Sequence, residues 1–148
     1  IPGVKLFEFL KTIYDARAKK PSTFLEFKKI IEPLMAELEI EKAFLWRDLN
    51  VGFSGGEKRK IEVLQIKLLK PKYIILDEID SGLDVNAVRQ VAELLKAVNT
   101  QENSFIVITH LFEMLQELPL EKILILEQGK IKAIGGRELM EQIRKEGF

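Results

Sequence analysis

The sequence has 148 residues, of which 47% are hydrophobic and 31% charged, the size and balance of one globular domain. Its 23 basic and 23 acidic residues cancel, so the net charge gives no reason to expect nucleic acid or an anionic membrane as a partner. The absence of cysteine excludes disulfides and thiolate-bound metal within the sequence, and no apolar run approaches the roughly 20 residues of a bilayer-spanning helix.

The first segment predicts a helix over residues 4–20, because apolar residues recur there at helical spacing. Pro21 ends this helix, since proline cannot continue the backbone hydrogen bonding. The residues on the apolar face are Phe7, Leu10, Ile13 and Tyr14.

The next segments are also predicted to be helical. Thr23 and Glu26 have the spacing of a capping box, which begins a second helix. Pro33 lies inside that helix and predicts a kink or a break near residues 31–32. Residues 41–50 predict a short third helix.

The rest of the sequence alternates strands with helices. Two continuous apolar runs predict strands that are buried on both faces, as in a parallel sheet. This alternation predicts an α/β layered fold, in which ligands bind at the carboxyl ends of the strands. In chain order the predicted elements are a helix over 56–70, a strand over 73–76, a helix from Asp84 to about Asn99, a strand over 104–109, a hairpin of 122–127 and 130–134 around Gln128-Gly129, and a helix over 136–146.

Two acids, Asp77 and Glu78, directly follow the first predicted strand. One carboxylate in such a position can hold Mg²⁺, and the next can orient and deprotonate an attacking water. Acids are also common where a strand passes into a solvated loop. The pair alone therefore leaves both interpretations open.

A pair of glycines, Gly55 and Gly56, stands where the helix predicted over residues 56–70 begins. The free N–H groups and the dipole of a helix N-terminus can bind an anion, and Gly55 and Gly56 let the backbone approach a phosphate closely. Ser54 adds a hydroxyl group. The same residues also suit a simple helix cap.

Four short motifs follow one another along the sequence: SGGE at 54–57, LDE at 76–78, SGLD at 81–84 and ITH at 108–110. In this order, and on these elements, they resemble the motifs of ATP-binding cassette (ABC) ATPases. The resemblance implies an α/β fold, namely part of a P-loop NTPase core with an α-helical subdomain.

The resemblance also implies roles for single residues. It implies that Asp77 binds Mg²⁺ and that Glu78 is the general base. It also implies that His110 senses the γ-phosphate, although a lone histidine after a strand is more often structural. Glu78 and His110 are thus the catalytic candidates. The candidates for contacting nucleotide across a dimer are Ser54, Gly55, Gly56 and Glu57, and those for the D-loop at the dimer interface are Ser81, Gly82, Leu83 and Asp84.

Longer matches point to one branch of the ABC ATPases. They resemble the SufC family, which supplies the ATPase of the Suf iron–sulfur cluster assembly machinery. This implies ATP and Mg²⁺ as cofactors, a head-to-tail ATP-dependent dimer, the SufB–SufD scaffold as partner, and a cytoplasmic location without nucleic acid or membrane insertion. The family usually has threonine in place of Ile79, a difference that touches no motif. The matching stretches are LNVGFSGGEKRKIEVLQIKLLKPK, LDEIDSGLDVNAV and GKIKAIGGRELMEQIRKEGF.

One motif of the family is missing, the P-loop G-x-x-x-x-G-K-[ST]. The only Gly-Lys pair, Gly129-Lys130, lies in a predicted turn. We therefore expect the C-terminal portion of a longer protein, inactive by itself. Its predicted domains are a helical subdomain over residues 1–56, ending in SGGE, which resembles the ABC signature loop, and the C-terminal part of the catalytic core over 57–148.

The missing segment has a structural consequence. In the family, the P-loop strand lies between the strands that match 104–109 and 122–127. Without it, two strand edges keep unpaired backbone groups, which favours pairing with another chain. We expect this chain to associate with its missing half, to self-associate or to rearrange.

Two alternative functions stay open. One is the ATP-binding subunit of an ABC membrane transporter, although LDEIDSGLD and the matching C-terminal stretch favour the Suf branch. The other is a non-catalytic truncated interaction module, favoured by the missing P-loop and disfavoured by the presence of Glu78 and His110. In residues 1–56, Phe44 and Trp46 are the candidates for docking a scaffold, because aromatic residues are enriched at interface anchors.

Overall fold

The structure is a computed structural model that describes residues 2–146. Within them the helices are α1 (Leu6–Ala18), α2 (Phe24–Glu37), a 3₁₀ helix (Lys42–Trp46), α3 (Gly55–Leu69), α4 (Val85–Val98), α5 (Phe112–Glu117) and α6 (Glu138–Glu146). The strands are β1 (Tyr73–Asp77), β2 (Ser104–Ile108), β3 (Ile123–Glu127) and β4 (Lys130–Gly135).

The chain forms two compact units. The first comprises Ile1–Ile74 and Ala97–Phe105, and the second comprises Ile75–Lys96 and Ile106–Phe148. The boundary predicted between residues 56 and 57 falls within α3, and the two predicted domains remain a prediction. Their outermost residues, 1 and 147–148, lie outside the described residues.

The first unit packs α1, α2 and α3 around an apolar core. α2 begins with the predicted capping box, which is confirmed: Glu26 N donates to Thr23 Oγ1 at 3.3 Å, and Thr23 N donates to Glu26 Oε2 at 2.7 Å. Fully buried side chains from these helices include Leu6, Leu10, Phe27, Ile31, Met35 and Leu64.

Of the kink or break predicted near residues 31–32, the break is wrong, because α2 continues through Pro33 to Glu37, and the kink stays a prediction. Proline inside a helix removes one backbone hydrogen bond. Ile31 and Met35, on either side of Pro33, are fully buried, so packing of this face offsets the loss. Residues 41–50 contain a short helix as predicted, but it is a 3₁₀ helix limited to Lys42–Trp46.

β1 and β2 form a two-stranded sheet. Ser104 N donates to Lys72 O at 2.8 Å at one end, and Glu78 N donates to Ile108 O at 2.9 Å at the other. The strands are therefore parallel, and both carboxyl ends lie at the same edge.

The prediction that both strands are buried on two faces is wrong. Ile74 and Leu76 of β1 are buried, but Tyr73 is 80% and Ile75 is 67% exposed. In β2, Ile106 is 58% exposed. A continuous apolar run predicts a strand correctly, but burial requires a second layer on each face, and one face of β1 has none among the described residues.

The predicted hairpin of β3 and β4 is confirmed. The strands pair antiparallel with Glu127 opposite Lys130. Gln128 and Gly129 have φ angles of 48° and 76°, as a two-residue hairpin turn requires. A small core packs beneath the hairpin, and it includes residues of α5, which was not predicted. Its buried members are Leu115, Ile123 and Ile143.

Across residues 2–146, no helix combines the length and the apolar character that a membrane crossing requires.

Candidate functional site

Two candidate residues meet where β1 and β2 end. Glu78 directly follows β1, and His110 follows β2 by two residues. His110 Nδ1 lies 3.5 Å from Glu78 Oε1, with the two side chains 60% and 55% exposed. Parallel pairing places both groups at one edge, and their exposure leaves them open to a ligand in solvent.

The backbone of Glu78 adopts an unusual conformation. Its φ angle is 48°, in the left-handed region that costs a non-glycine residue energy. Two hydrogen bonds hold it there: Glu78 N donates to Ile108 O, and Glu78 O accepts from Ser81 N at 3.0 Å. This conformation sets the direction of the carboxylate at the strand end.

Asp77 is the last residue of β1 and lies on its exposed face. Its carboxylate has no hydrogen bond or ion pair with other residues of the described range. Nor does that range contain a cluster of three or more ligating side chains for a metal. Mg²⁺ in phosphate-processing sites is commonly held by one or two carboxylates together with water and phosphates, and Asp77 fits that mode.

The D-loop candidates form a turn and a helix cap. Leu83 N donates to Asp80 O at 3.2 Å, and Gly82 has a φ angle of 72° with open space around it. Asp84 Oδ1 accepts a hydrogen bond from Ala87 N at 2.9 Å, and so caps the N-terminus of α4. The sequence SGLD thus makes the sharp exit from β1 into α4.

A second polar contact at the strand ends was not predicted. Thr109 Oγ1 donates to Asp80 Oδ2, and Leu111 N donates to Thr109 Oγ1 at 2.9 Å. Asp80 is fully buried, and its Oδ1 has no partner among the described residues. The sequence signal is slight: one acid after an isoleucine, and one threonine before a histidine.

The SGGE candidates lie in the first unit, at the beginning of α3. Glu57 N donates to Ser54 Oγ at 3.2 Å, and Ser54 N donates to Glu57 Oε2 at 2.6 Å, which together make a second capping box. The backbone N–H of Ser54 is the main cause that holds the pKa of Glu57 below its usual value. The carboxylate is therefore ionised at neutral pH.

The capping box leaves other donors of this helix end free. The N–H groups of Gly55 and Gly56 belong to the first turn, where an α-helix has no internal acceptor for them. Apart from its two neighbours and the nearby backbone of α3, no heavy atom lies within 4 Å of the place that a Cβ on Gly56 would occupy. An anion can approach these two donors, with the Glu57 carboxylate beside it.

The two aromatic docking candidates differ in exposure. Phe44 is 8% exposed and packs on Phe53 with ring centroids 5.1 Å apart, so it belongs to the core. Trp46 is 52% exposed and stacks on Phe7 at 5.4 Å. Of the two, only Trp46 presents an aromatic surface to solvent.

Comparison with solved structures identifies the class of fold. The dimeric structure of MJ0796, a bacterial ABC transporter cassette, matches 92% of this chain and 58% of its own with a TM-score of 0.74 and 20% identity. The ATP-binding subunit of another ABC transporter matches all of this chain and 60% of its own with a TM-score of 0.69 and 23% identity. The fold is that of an ABC ATPase cassette, as predicted.

Curated relatives narrow the resemblance. The probable ATP-dependent transporter slr0075 of Synechocystis is 39% identical over 100% of this chain and 59% of its own length. The probable ATP-dependent transporter SufC of Escherichia coli is 36% identical over 100% of this chain and 61% of its own length. The predicted resemblance to the SufC family of ABC ATPases is confirmed.

The chain spans about three-fifths of the length of these curated relatives. It likewise covers 60% of the length of the probable ATP-dependent transporter ycf16 of Cyanidium caldarium. No family model matches the sequence.

Proposed function

We propose that this chain carries the Walker B acids Asp77 and Glu78, the D-loop 81–84 and the switch histidine His110 of an ATPase that hydrolyses Mg-ATP. The observation that carries the proposal is the approach of Glu78 and His110 to 3.5 Å at the ends of two parallel strands. Glu78 would orient an attacking water and accept its proton, and His110 would contact the γ-phosphate. Asp77 would hold Mg²⁺, which neutralises phosphate charge when it is bound.

The SGGE residues would act on a nucleotide held by a second copy of the protein. In this head-to-tail dimer, the N–H groups of Gly55 and Gly56 and the hydroxyl of Ser54 would contact phosphate, with Glu57 fixing the loop. The open helix N-terminus supports this role. The turn 81–84 would lie at the same dimer interface.

We further propose that the intact protein is the ATPase of the Suf machinery, cytoplasmic, and that hydrolysis drives the SufB–SufD scaffold. The relative named SufC and the run LDEIDSGLD support this branch. Trp46 is the candidate for docking the scaffold. Replacing it with alanine should weaken scaffold binding or unfold the first unit, and a variant that changes neither would remove Trp46 from the proposal.

A second candidate function is the ATP-binding subunit of a membrane transporter. The names of the relatives favour it, since slr0075, SufC and ycf16 are all called probable ATP-dependent transporters. Affinity purification separates the two candidates, because one predicts co-purification with scaffold proteins and the other with membrane subunits. A third outcome is that a form of the protein with a P-loop co-purifies with neither group of partners. That outcome would favour a non-catalytic module.

Calorimetric titration of Mg-ATP into this chain gives the first test. We expect no saturable binding, because the sequence has no P-loop to hold the phosphates. Saturable binding would contradict the expectation that ATP binding requires a P-loop.

A hybrid provides the test of catalysis. The chain would be joined to the segment of E. coli SufC that lies outside the region it matches. We expect this hybrid to hydrolyse ATP, and Glu78→Gln to lower kcat by about 100-fold or more while ATP still binds. A Glu78→Gln hybrid that turns over at the wild-type rate would overturn the role of Glu78. Thr12→Val, an exposed substitution on α1, is the matched control.

A further inference from the structure

We infer that Asp80 and Thr109 are positioning residues, which hold the side chains of Glu78 and His110 next to each other. The inference rests on the proposed function, which gives the placement of these two side chains its importance. The contacts that support the inference are independent of that function. It begins with a buried acid that the proposed chemistry does not use.

Asp80 is a destabilising residue at its position. It is fully buried, and its Oδ1 has no hydrogen-bond partner in the described part of the chain. A buried polar oxygen without a partner destabilises a fold, and an apolar side chain of similar size avoids that cost. Stability therefore gives no reason for an acid here, and the contact made by the other oxygen does.

That contact joins the two turns that carry the site. Asp80 lies two residues after Glu78, and Thr109 directly precedes His110. The hydroxyl of Thr109 donates to Asp80 Oδ2 and accepts from Leu111 N at 2.9 Å. One hydroxyl thus fixes the exit of β2 and ties it to the exit of β1.

Two hydrogen bonds join the chain segments that carry the site. Glu78 N donates to Ile108 O at 2.9 Å. The second is the contact between Asp80 and Thr109, which links residues 78–80 to residues 108–109 once more. The Glu78 and His110 side chains project from the two chain segments that these bonds tie together. Without the second bond, the backbone bond to Ile108 is the one hydrogen bond within residues 2–146 that holds these two turns together at this edge.

His110 is the only histidine in the sequence, so its imidazole resonances in NMR spectra are unambiguous. The Glu78→Gln substitution should shift these resonances at fixed pH, because the two side chains lie 3.5 Å apart. The test measures that shift in the whole chain, first in the wild-type background and then in variants of Thr109.

We expect Thr109→Val to abolish the Glu78→Gln shift and to speed exchange of the Leu111 amide about fivefold, since one hydrogen bond is lost. Thr109→Ser retains the hydroxyl and should retain both properties. Thr12→Val, which removes a hydroxyl bonded within α1, should change neither.

The result that overturns the inference is a Glu78→Gln shift of full size in Thr109→Val, accompanied only by lower stability. If Thr109→Val does not fold, the pair Asp80→Ala and Asp80→Asn replaces it. Asparagine keeps an oxygen that can accept from Thr109 and should keep the shift, whereas alanine should lose it. Equal shifts in both Asp80 variants would overturn the inference.

A kinetic measurement separates this inference from the proposed function. In the ATP-hydrolysing hybrid, Thr109→Val should lower kcat roughly tenfold or more with little change in KM. The reason is that misplacing Glu78 and His110 slows the chemical step and leaves the binding of ATP nearly unchanged. A hybrid in which Glu78→Gln has no effect would refute the proposed role of Glu78, while the NMR result would still decide the positioning contact.

Discussion

The helical core of the first unit encloses apolar side chains, whereas the strands of the second unit leave apolar residues open to solvent. Leu10 and Ile31 have no exposed surface, but Ile75 and Leu126 are 67% and 68% exposed. The side chains are of the same type, so the difference comes from what covers them. A helix buries one stripe against its neighbours, but a sheet has two faces and needs a layer on each. Apolar sequence therefore indicates burial only where a second layer is present.

The largest expected effect tests this difference with one substitution at two places. Ile31→Ala should lower the free energy of unfolding by about 2–5 kcal/mol, because it leaves a cavity in a closed core. Ile75→Ala should change it by less than about 0.5 kcal/mol, because little of its surface is buried. Urea denaturation, monitored by circular dichroism, measures both.

Equal losses in the free energy of unfolding at Ile31 and Ile75 would contradict this difference between the two units. That result would mean that Ile75 is covered in solution, for example by a second copy of the chain. Repeating the Ile75→Ala measurement at several protein concentrations would distinguish these cases, since stability that depends on association rises with concentration.

The exposed strand faces predict a second effect, on association. Ile75→Lys and Leu126→Lys should each lower the fraction of self-associated chain in sedimentation velocity, because a charge opposes burial of the apolar face against another copy. Lys130→Glu, at an exposed end of the same hairpin, is a control that changes charge without removing apolar surface. A wild-type chain that is monomeric at all concentrations would contradict this prediction.

A smaller effect compares helix caps in the two units. Ser54 caps α3 in the first unit, and Asp84 caps α4 in the second. Ser54→Ala and Asp84→Ala should each lower the free energy of unfolding by about 1 kcal/mol, since each leaves one N–H without its acceptor. Ser54→Asn, which can still cap, is the matched control. If removing one cap lowers the free energy of unfolding severalfold more than removing the other, the two units do not contribute alike to stability.

Local patterns predicted much of the fold and of the site. The capping box of Thr23 and Glu26 and the turn at Gln128-Gly129 each need only residues within a few positions of one another, and both are present. Glu78 after β1 and His110 after β2 were predicted to lie at strand ends, and parallel pairing places the two together. Neighbouring residues carry this information, so the sequence alone reveals it.

Contacts distant in sequence could not be predicted in the same way. Asp80 and Thr109 lie 29 residues apart, and nothing near either residue indicates the other. The outer face of β1 is exposed because no second layer covers it, which an apolar run cannot reveal. α2 continues through Pro33 because Ile31 and Met35 are buried by tertiary packing. In each case the deciding partner is far away along the chain.

The smallest expected effect concerns acid and two glutamates, one in each unit. The pKa of Glu57 is lowered chiefly by the N–H of Ser54, and the pKa of Glu138 chiefly by the N–H of Gly136, which donates to it at 2.5 Å. A lowered pKa means that the folded state binds fewer protons than the unfolded state, so stability rises with pH through this window.

The contribution of each carboxylate is therefore present above the ordinary glutamate value of 4.5 and is lost as pH falls through the folded pKa. Glu57→Gln and Glu138→Gln keep an acceptor oxygen but cannot ionise, so each should flatten the fall of stability between neutral pH and pH 3 or so. Thermal unfolding across that range measures the slope. If the two units unfold separately, Glu57→Gln should flatten only the transition of the first unit and Glu138→Gln only that of the second. A single transition that both variants flatten alike would mean that the closed helical core and the open sheet unfold as one.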